Sequence, residues 1–306
     1  MNSKKIVVVG ATGHLGVKIV QALLDQGADV TAMVRATSNK SKLEAMGVKH
    51  FALGDMMNKE SLKEALNPRE GFDAIVASAA GYTAHSKGDS PATDTIGYKN
   101  LVDATKAAGI PRFVLLSILE CDKAVNVPHF HNKYLTETYL QEKKQPYIAL
   151  RSGAFFDWND NFMLKRISKG VVPVFFTKAG YGTIYTPDLA RYLAMAAVSL
   201  PDSELNSYVD VGWSKPVNSE SLIAAFSKVL DKPFRAKLIV SGLVFGILCF
   251  FAMFIPKLKD MVAMVRWVNT GVYVSKDTAR QQKLFGDLPT TEEAVRRYCK
   301  DHHLIK

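Results

Sequence analysis

The stretch Lys5-Ile6-Val7-Val8-Val9-Gly10-Ala11-Thr12-Gly13-His14-Leu15-Gly16 decides the fold. Its four consecutive apolar, β-branched residues read as a strand buried on both faces. Glycines at positions 10, 13 and 16 predict a turn, and Val17 to Gln26 continues with helical spacing through Ile19, Leu23 and Leu24. Strand, glycine turn and helix N-terminus in that order make an anion site, because backbone N–H groups and the positive end of the helix dipole point at one place. Gly10 suits the tight turn, Gly13 lets a pyrophosphate approach the backbone, and Gly16 lets the helix pack closely on the strand. A glycine triplet alone is a weak signal. Its place after a clear strand, with a second strand at the right distance beyond, favours a dinucleotide site over a plain glycine-rich turn. The candidate cofactor contacts here are Gly10, Thr12, Gly13, His14, Leu15 and Gly16.

The 306 residues suffice for one large α/β domain, or a core domain with a smaller lobe, and a hydrophobic content of 48% supplies an ordinary core. Cys121, Cys249 and Cys299 are widely spaced and odd in number, which argues against a disulfide framework or a zinc site and for a reducing, cytoplasmic setting. No metal is expected. No signal peptide is expected either, since Lys4-Lys5 is followed by a short strand that runs into the glycine turn. The net charge of +10 fits an anionic cofactor, an anionic membrane surface, or no specific partner. The basic residues are scattered, without an arginine-rich arm, so nucleic-acid binding is not expected.

Asp29 to Val34 reads as the second strand. An acid at its end would bind a ribose 2′-hydroxyl; Arg35 stands there instead, followed by Ser38, Lys40 and Lys42, which favours a 2′-phosphate and hence NADP(H). Val48 to Leu53 is a third strand, followed by Gly54-Asp55, and Ser61 to Leu66 a helix. Phe72 to Ala77 is a fourth strand, ending in Ser78-Ala79-Ala80-Gly81, small residues past which a cofactor could lie close. Tyr82 to Pro91 is a polar loop and a candidate substrate lid, with Tyr82 as a substrate contact. A helix over Asp94 to Gly109 leads to a fifth strand from Phe113 to Ser117. This alternation predicts a doubly wound parallel sheet of Rossmann type, with ligands outside the carboxyl ends of its strands.

The GxxGxxG spacing of GATGHLG at 10–16, with the block that closes on the fifth strand, resembles the short-chain dehydrogenase/reductase superfamily, in particular its atypical, NmrA-like branch. The resemblance implies an NADP(H) cofactor and places Asp55 beside the adenine. Ordinary members carry a Tyr and, four residues later, a Lys that binds the nicotinamide ribose and lowers the phenol pKa for proton donation. Lys133 fits the lysine position, but the residue four before it is His129, and Tyr134 points about a quarter-turn away on the helix. The NmrA-like branch often keeps the Lys without the Tyr, and includes olefin and quinone reductases as well as non-catalytic redox sensors. Lys133, His129 and Ser117 are thus the catalytic candidates, His129 being either a proton donor or only a polar residue at a helix start. After a sixth strand over Pro146 to Leu150, Arg151-Ser152-Gly153-Ala154-Phe155 resembles a family segment that passes the nicotinamide, with Ser152 in place of Pro. Phe155, Phe156 and Trp158 either line an apolar substrate pocket or belong to the core.

From about Asn159 the pattern changes to that of a smaller substrate lobe, so the expected division is 1–157 for nucleotide binding and 158–306 for substrate, interleaved as one structural unit. Helices are expected over Phe162 to Ser168, from Thr186, over Asn218 to Leu230 and over Glu292 to Tyr298; strands near 172–176, 183–185 and 208–211. Leu238 to Ile255 holds eighteen residues without a charge, flanked by Arg235, Lys237 and Lys257. That length is at the short edge for spanning a bilayer, and a span would put the tail across a membrane from its own domain. A buried helix closing the lobe and a helix lying in a bilayer surface remain as readings, the second bringing peripheral membrane association through 238–259. This stretch loosely resembles the C-terminal part of divinyl reductases of the chlorophyll pathway, which implies a bulky apolar substrate. The expected function is an NADPH-dependent reductase of a small hydrophobic conjugated acceptor, a quinone or cyclic olefin. The alternative is a non-catalytic NADP(H)-binding sensor or assembly factor. The oligomeric state is left open.

Overall fold

The computed structural model describes residues 3–81, 92–174, 179–238, 242–286 and 288–306. The chain folds as two compact units that interleave along the sequence. The first comprises Met1–Cys121, His129–Arg151 and Thr186–Val209; the second comprises Asp122–Pro128, Ser152–Tyr185 and Asp210–Lys306. The expected boundary near residue 157 came with an interleaved lobe; here the segment 186–209 lies in the first unit and 122–128 in the second.

The first unit is built on the strands β1 (Lys5–Val9), β2 (Asp29–Val34), β3 (His50–Leu53), β4 (Ala74–Ala77), β5 (Phe113–Ile118), β6 (Tyr147–Ser152) and β10 (Ser207–Val211). They form a seven-stranded sheet in the order β10-β6-β5-β4-β1-β2-β3, with β1 parallel to both β2 and β4. The helices α1 (His14–Asp25), α2 (Ser41–Ala45), α3 (Lys59–Ala65), α4 (Tyr98–Ala107), α5 (Pro128–Glu142) and α7 (Thr186–Val198) cover it. Ile6, Val7, Val8, Ile75, Val76 and Phe113 are wholly buried, which is why the central strands read as unbroken apolar runs. The strand order reverses between β1 and β4, and a crevice opens at such a switch point beyond the carboxyl ends of the strands. Gly10 and Ser78 to Gly81 stand there. Two elements expected in the lobe, α7 and most of β10, belong to this sheet layer; Lys18 on α1 donates to Thr186 at the start of α7 at 2.5 Å.

The second unit holds two parallel strand pairs, β7 (Ala154–Phe155) with β9 (Thr183–Ile184) and β8 (Val171–Val174) with β11 (Arg235–Leu238). Its helices are α6 (Asp160–Ile167), α8 (Ser219–Leu230), α9 (Gly242–Phe251), α10 (Pro256–Asn269), α11 (Thr278–Phe285) and α12 (Thr291–Asp301). Reciprocal side-chain caps fix two of the starts, Asn218 with Ser221 on α8 and Thr290 with Glu293 on α12. The core is aromatic: the Phe156 ring lies 5.0 Å from Trp213, 6.1 Å from Phe226 and 5.1 Å from Tyr298, centroid to centroid.

The eighteen-residue apolar stretch is not one helix. Among its described residues α9 ends at Phe251, a turn follows, and α10 restarts at Pro256. Of the two readings left for this stretch, a buried helix does not describe α9, none of whose residues is buried. No described helix is long and apolar enough to cross a membrane.

Candidate functional site

The site is built first from the β1–α1 turn. Gly10 has φ +86°, a conformation open to glycine, and a Cβ there would stand 2.8 Å from the Ala79 backbone nitrogen. A Cβ on Gly16 would overlap the Gly10 carbonyl oxygen, so glycine is what brings helix and strand together. The Gly13 N–H donates to the Gly10 carbonyl at 3.0 Å, closing the turn. Gly13 then caps α1 without a side chain, and no acidic residue occupies the first helical turn. The positive pole of the helix is thus presented to an anion, beside the exposed Thr12, Gly13 and His14, with Leu15 and Gly16 buried behind them. This is the cradle a dinucleotide pyrophosphate requires.

The next two strands end in side chains suited to the adenosine half. Arg35 is exposed directly after β2, and its N–H donates to the Ser38 hydroxyl at 3.1 Å, so cation and hydroxyl share one turn. After β3, Gly54 packs so tightly on Met33 that a Cβ would meet its sulfur at 2.7 Å. Asp55 follows, half-buried, accepting the Met57 N–H at 2.9 Å while its own N–H donates to Ser61 at 3.0 Å.

At the end of β4 the backbone of Ala79 and Gly81 is tied to charge-bearing groups. A π-helical turn over Thr93–Gly97 precedes α4 and buries Asp94, whose two carboxylate oxygens accept the Gly81 N–H at 3.2 Å. Such turns bring side chains out of ordinary helical register and recur at functional sites. Tyr98, at the start of α4, donates its hydroxyl to the Ala79 carbonyl at 2.5 Å. Lys133 on α5 reaches the same place, donating to the Tyr98 oxygen at 3.1 Å and to the Ala79 carbonyl at 3.4 Å, with Asp94 at 3.8 Å. Burial pushes the Tyr98 phenol up, so it stays protonated at neutral pH. Burial alone would depress the Lys133 ammonium, but Tyr98 and Asp94 outweigh it and hold the lysine above its ordinary value. A buried lysine held in its charged form at neutral pH therefore stands behind the loop that closes β4.

The remaining expected residues divide. Tyr134 is on the exposed side of α5, away from Lys133, and His129 is buried with its ring edge-on to Phe130 at 4.6 Å. Ser117 is wholly buried and donates to Glu137 at 2.6 Å, within a bidentate Glu137–Arg151 ion pair of 3.1 and 2.7 Å. Its hydroxyl thus serves that pair, which corrects its candidacy as a catalytic group. In the second unit Phe156 is core, correcting its place as a pocket residue; Phe155 is half-buried and Trp158 exposed. Ala79 is half-buried and Ala80 exposed. Tyr82 lies outside the described residues. Tyr98 and Asp94 went unread in the sequence. Their signal was a Tyr four residues after an Asp that itself stands thirteen residues beyond Gly81, the small-residue end of the fourth strand.

The NmrA-like family model matches residues 2–294. Photosystem II assembly factor Ycf39 of Guillardia theta is 28% identical over 310 residues, spanning 97% of this chain and 93% of that protein. Among solved structures, the triphenylmethane reductase of Citrobacter sp. superposes with a TM-score of 0.76 at 21% identity, over 97% of this chain and 99% of its own. An NADPH-dependent quinone oxidoreductase of Escherichia coli gives 0.73 at 20% identity, over 96% and 99%. At such identities the two structures show a shared fold.

Proposed function

This chain belongs to the NmrA-like family, and on that premise we propose that it is an NADPH-dependent reductase of a hydrophobic, conjugated acceptor of the quinone or cyclic-olefin type. The observation that carries the reading is Lys133, held charged at the end of β4, with its neighbouring phenol turned to a backbone carbonyl and buried. When bound, NADPH supplies the hydride. The chain's own residues bind and orient: the α1 N-terminus takes the pyrophosphate, Arg35 the 2′-phosphate, Asp55 borders the adenine, and Lys133 holds the nicotinamide ribose. Tyr98 and Asp94 keep Lys133 protonated and in place rather than meeting the substrate. An acceptor whose new charge spreads over a conjugated system can take its proton from solvent, so no phenolic acid is needed; His129 is the candidate donor from the protein. The two reductases of like fold act, by their names, on quinones and on triphenylmethane dyes.

The test is loss of NADPH absorbance with a panel of quinones and cyclic enones, NADH in parallel. Turnover of one acceptor class, faster with NADPH, supports the reductase. A second reading is an NADP(H)-binding factor that turns nothing over, and what favours it is a relative's name. The relative from Guillardia theta is named an assembly factor. Tight NADPH binding without turnover of any acceptor would carry that reading instead.

A further inference from the structure

The second unit exposes an apolar face that neither reading uses. Eight large apolar side chains between Leu243 and Ile255 are exposed, among them Leu243 at 79%, Phe254 at 71% and Met253 at 67%. At about 100° per residue, Leu243, Val244, Ile247, Phe250 and Phe251 fall within an arc of about 120° on α9. The other side of α9 is half-buried and leans on α10, where Arg266 donates to the Cys249 sulfur at 3.5 Å. The outward arc is therefore continuous, and Phe254 extends it, its ring 5.8 Å from that of Phe250. A patch of this kind marks an interaction surface.

Its dimensions and charges choose the occupant. Ten residues of helix span about 15 Å, half the hydrocarbon thickness of about 30 Å, so α9 is too short to cross a bilayer and long enough to lie in its surface. Between Asp231 and Asp260 the sequence holds five cations, Lys232, Arg235, Lys237, Lys257 and Lys259, and no carboxylate. The cations stand on both sides of the apolar stretch; Arg235, Lys237 and Lys259 are exposed. Aromatic and aliphatic groups bordered by cations match the acyl boundary and anionic headgroups of a membrane. A two-fold contact with a second copy would set the same cations rim to rim. We infer that α9 and the turn after it dock the protein on an anionic lipid bilayer, with α9 in the plane of the interface.

The experiment is sedimentation of the full chain with phosphatidylcholine vesicles, with and without phosphatidylglycerol. The parent should sediment with the anionic vesicles and much less with the neutral ones. Ile247→Glu with Phe250→Glu should lower the partition coefficient on the order of a hundredfold, by removing buried apolar area. Both positions are exposed, so the thermal midpoint should match the parent's. Arg235→Gln, Lys237→Gln and Lys259→Gln should each lower it about fivefold and weaken its salt dependence, a separate readout should the first variant fold poorly. A parent that stays in the supernatant with both vesicles, or variants that sediment like the parent, would overturn the inference. Dilution-dependent dimerisation abolished by the double substitution would assign the face to a second copy. The assay contains no NADPH, so its result is independent of turnover.

Discussion

Lys133 keeps its charge where water hardly reaches because two side chains from one short segment, Asp94 and Tyr98, meet it there. The arrangement makes Tyr98 a positioning residue, and Tyr98→Phe tests it. That change takes a donor from the Ala79 carbonyl and an acceptor from the Lys133 ammonium, leaving Asp94 in place. A loss of about 1–3 kcal/mol is expected, typical of a buried partner left short. Urea unfolding should show a lower midpoint at an unchanged slope; an unmoved midpoint would mean the phenol is dispensable to the fold. The adenosine end is tested at Arg35, which no carboxylate accompanies at the end of β2. Arg35→Ala should raise the NADPH dissociation constant by about ten- to a hundredfold, the worth of a charge-assisted bond, with NADH little changed. Fluorescence titration of both nucleotides decides it, and equal losses would sink the 2′-phosphate assignment.

At the scale of elements, α5 buries charges beside the apolar Phe130 and Leu140. Lys133 and Glu137 are one helical turn apart, both buried, each answered by an opposite charge: Asp94 for the first, Arg151 on β6 for the second. Glu137→Leu would take the bidentate carboxylate partner from the buried Arg151 guanidinium, which also stacks on the Tyr208 ring at 3.6 Å. The expected cost is about 3–5 kcal/mol by chemical denaturation, and Glu137→Leu with Arg151→Met should recover most of it. A double variant no better than the single would show that the pair specifies more than charge balance. The same elements show what was legible beforehand. β2 is read to the residue, Asp29–Val34, because strands covered on both faces announce themselves as apolar runs between turns. The helix expected from Asp94 instead begins as a π turn, which no apolar periodicity reveals. For 238–255 composition disclosed an apolar segment but not whether anything covers it, since coverage depends on the residues packed around it.

Over the whole molecule, local signals held and distant ones did not. The cofactor half of the candidate site follows from one strand–turn–helix unit and was legible at Gly10, Gly13 and Gly16. The meeting of Tyr98 with Lys133 joins residues 35 apart, and the return of 186–209 to the sheet is equally non-local, so neither leaves a spacing to read. Burial of ionisable groups in both units has a consequence for the whole fold. In the second unit burial pushes Tyr181 up to about 12 and the Cys299 thiol up to about 11. Burial also raises Tyr185, which donates to Asp301 at 2.7 Å, and Tyr298. Tyr98 in the first unit is raised by burial in the same way. Each of these groups holds its proton more tightly folded than unfolded. Their contribution is complete below the ordinary values of 9.0 for the thiol and 10.0 for the phenols, and is lost as pH rises through the folded values. Alkali must therefore unfold the chain to ionise them. The thermal midpoint should be flat from neutral pH to about 9 and fall steeply between about 10 and 12. The tyrosinate absorbance of the buried phenols Tyr98, Tyr181, Tyr185 and Tyr298 should appear in one cooperative step with loss of near-ultraviolet circular dichroism. If instead all eleven tyrosines titrate gradually near pH 10 with that signal intact, the buried phenols are not the constraint the fold makes them.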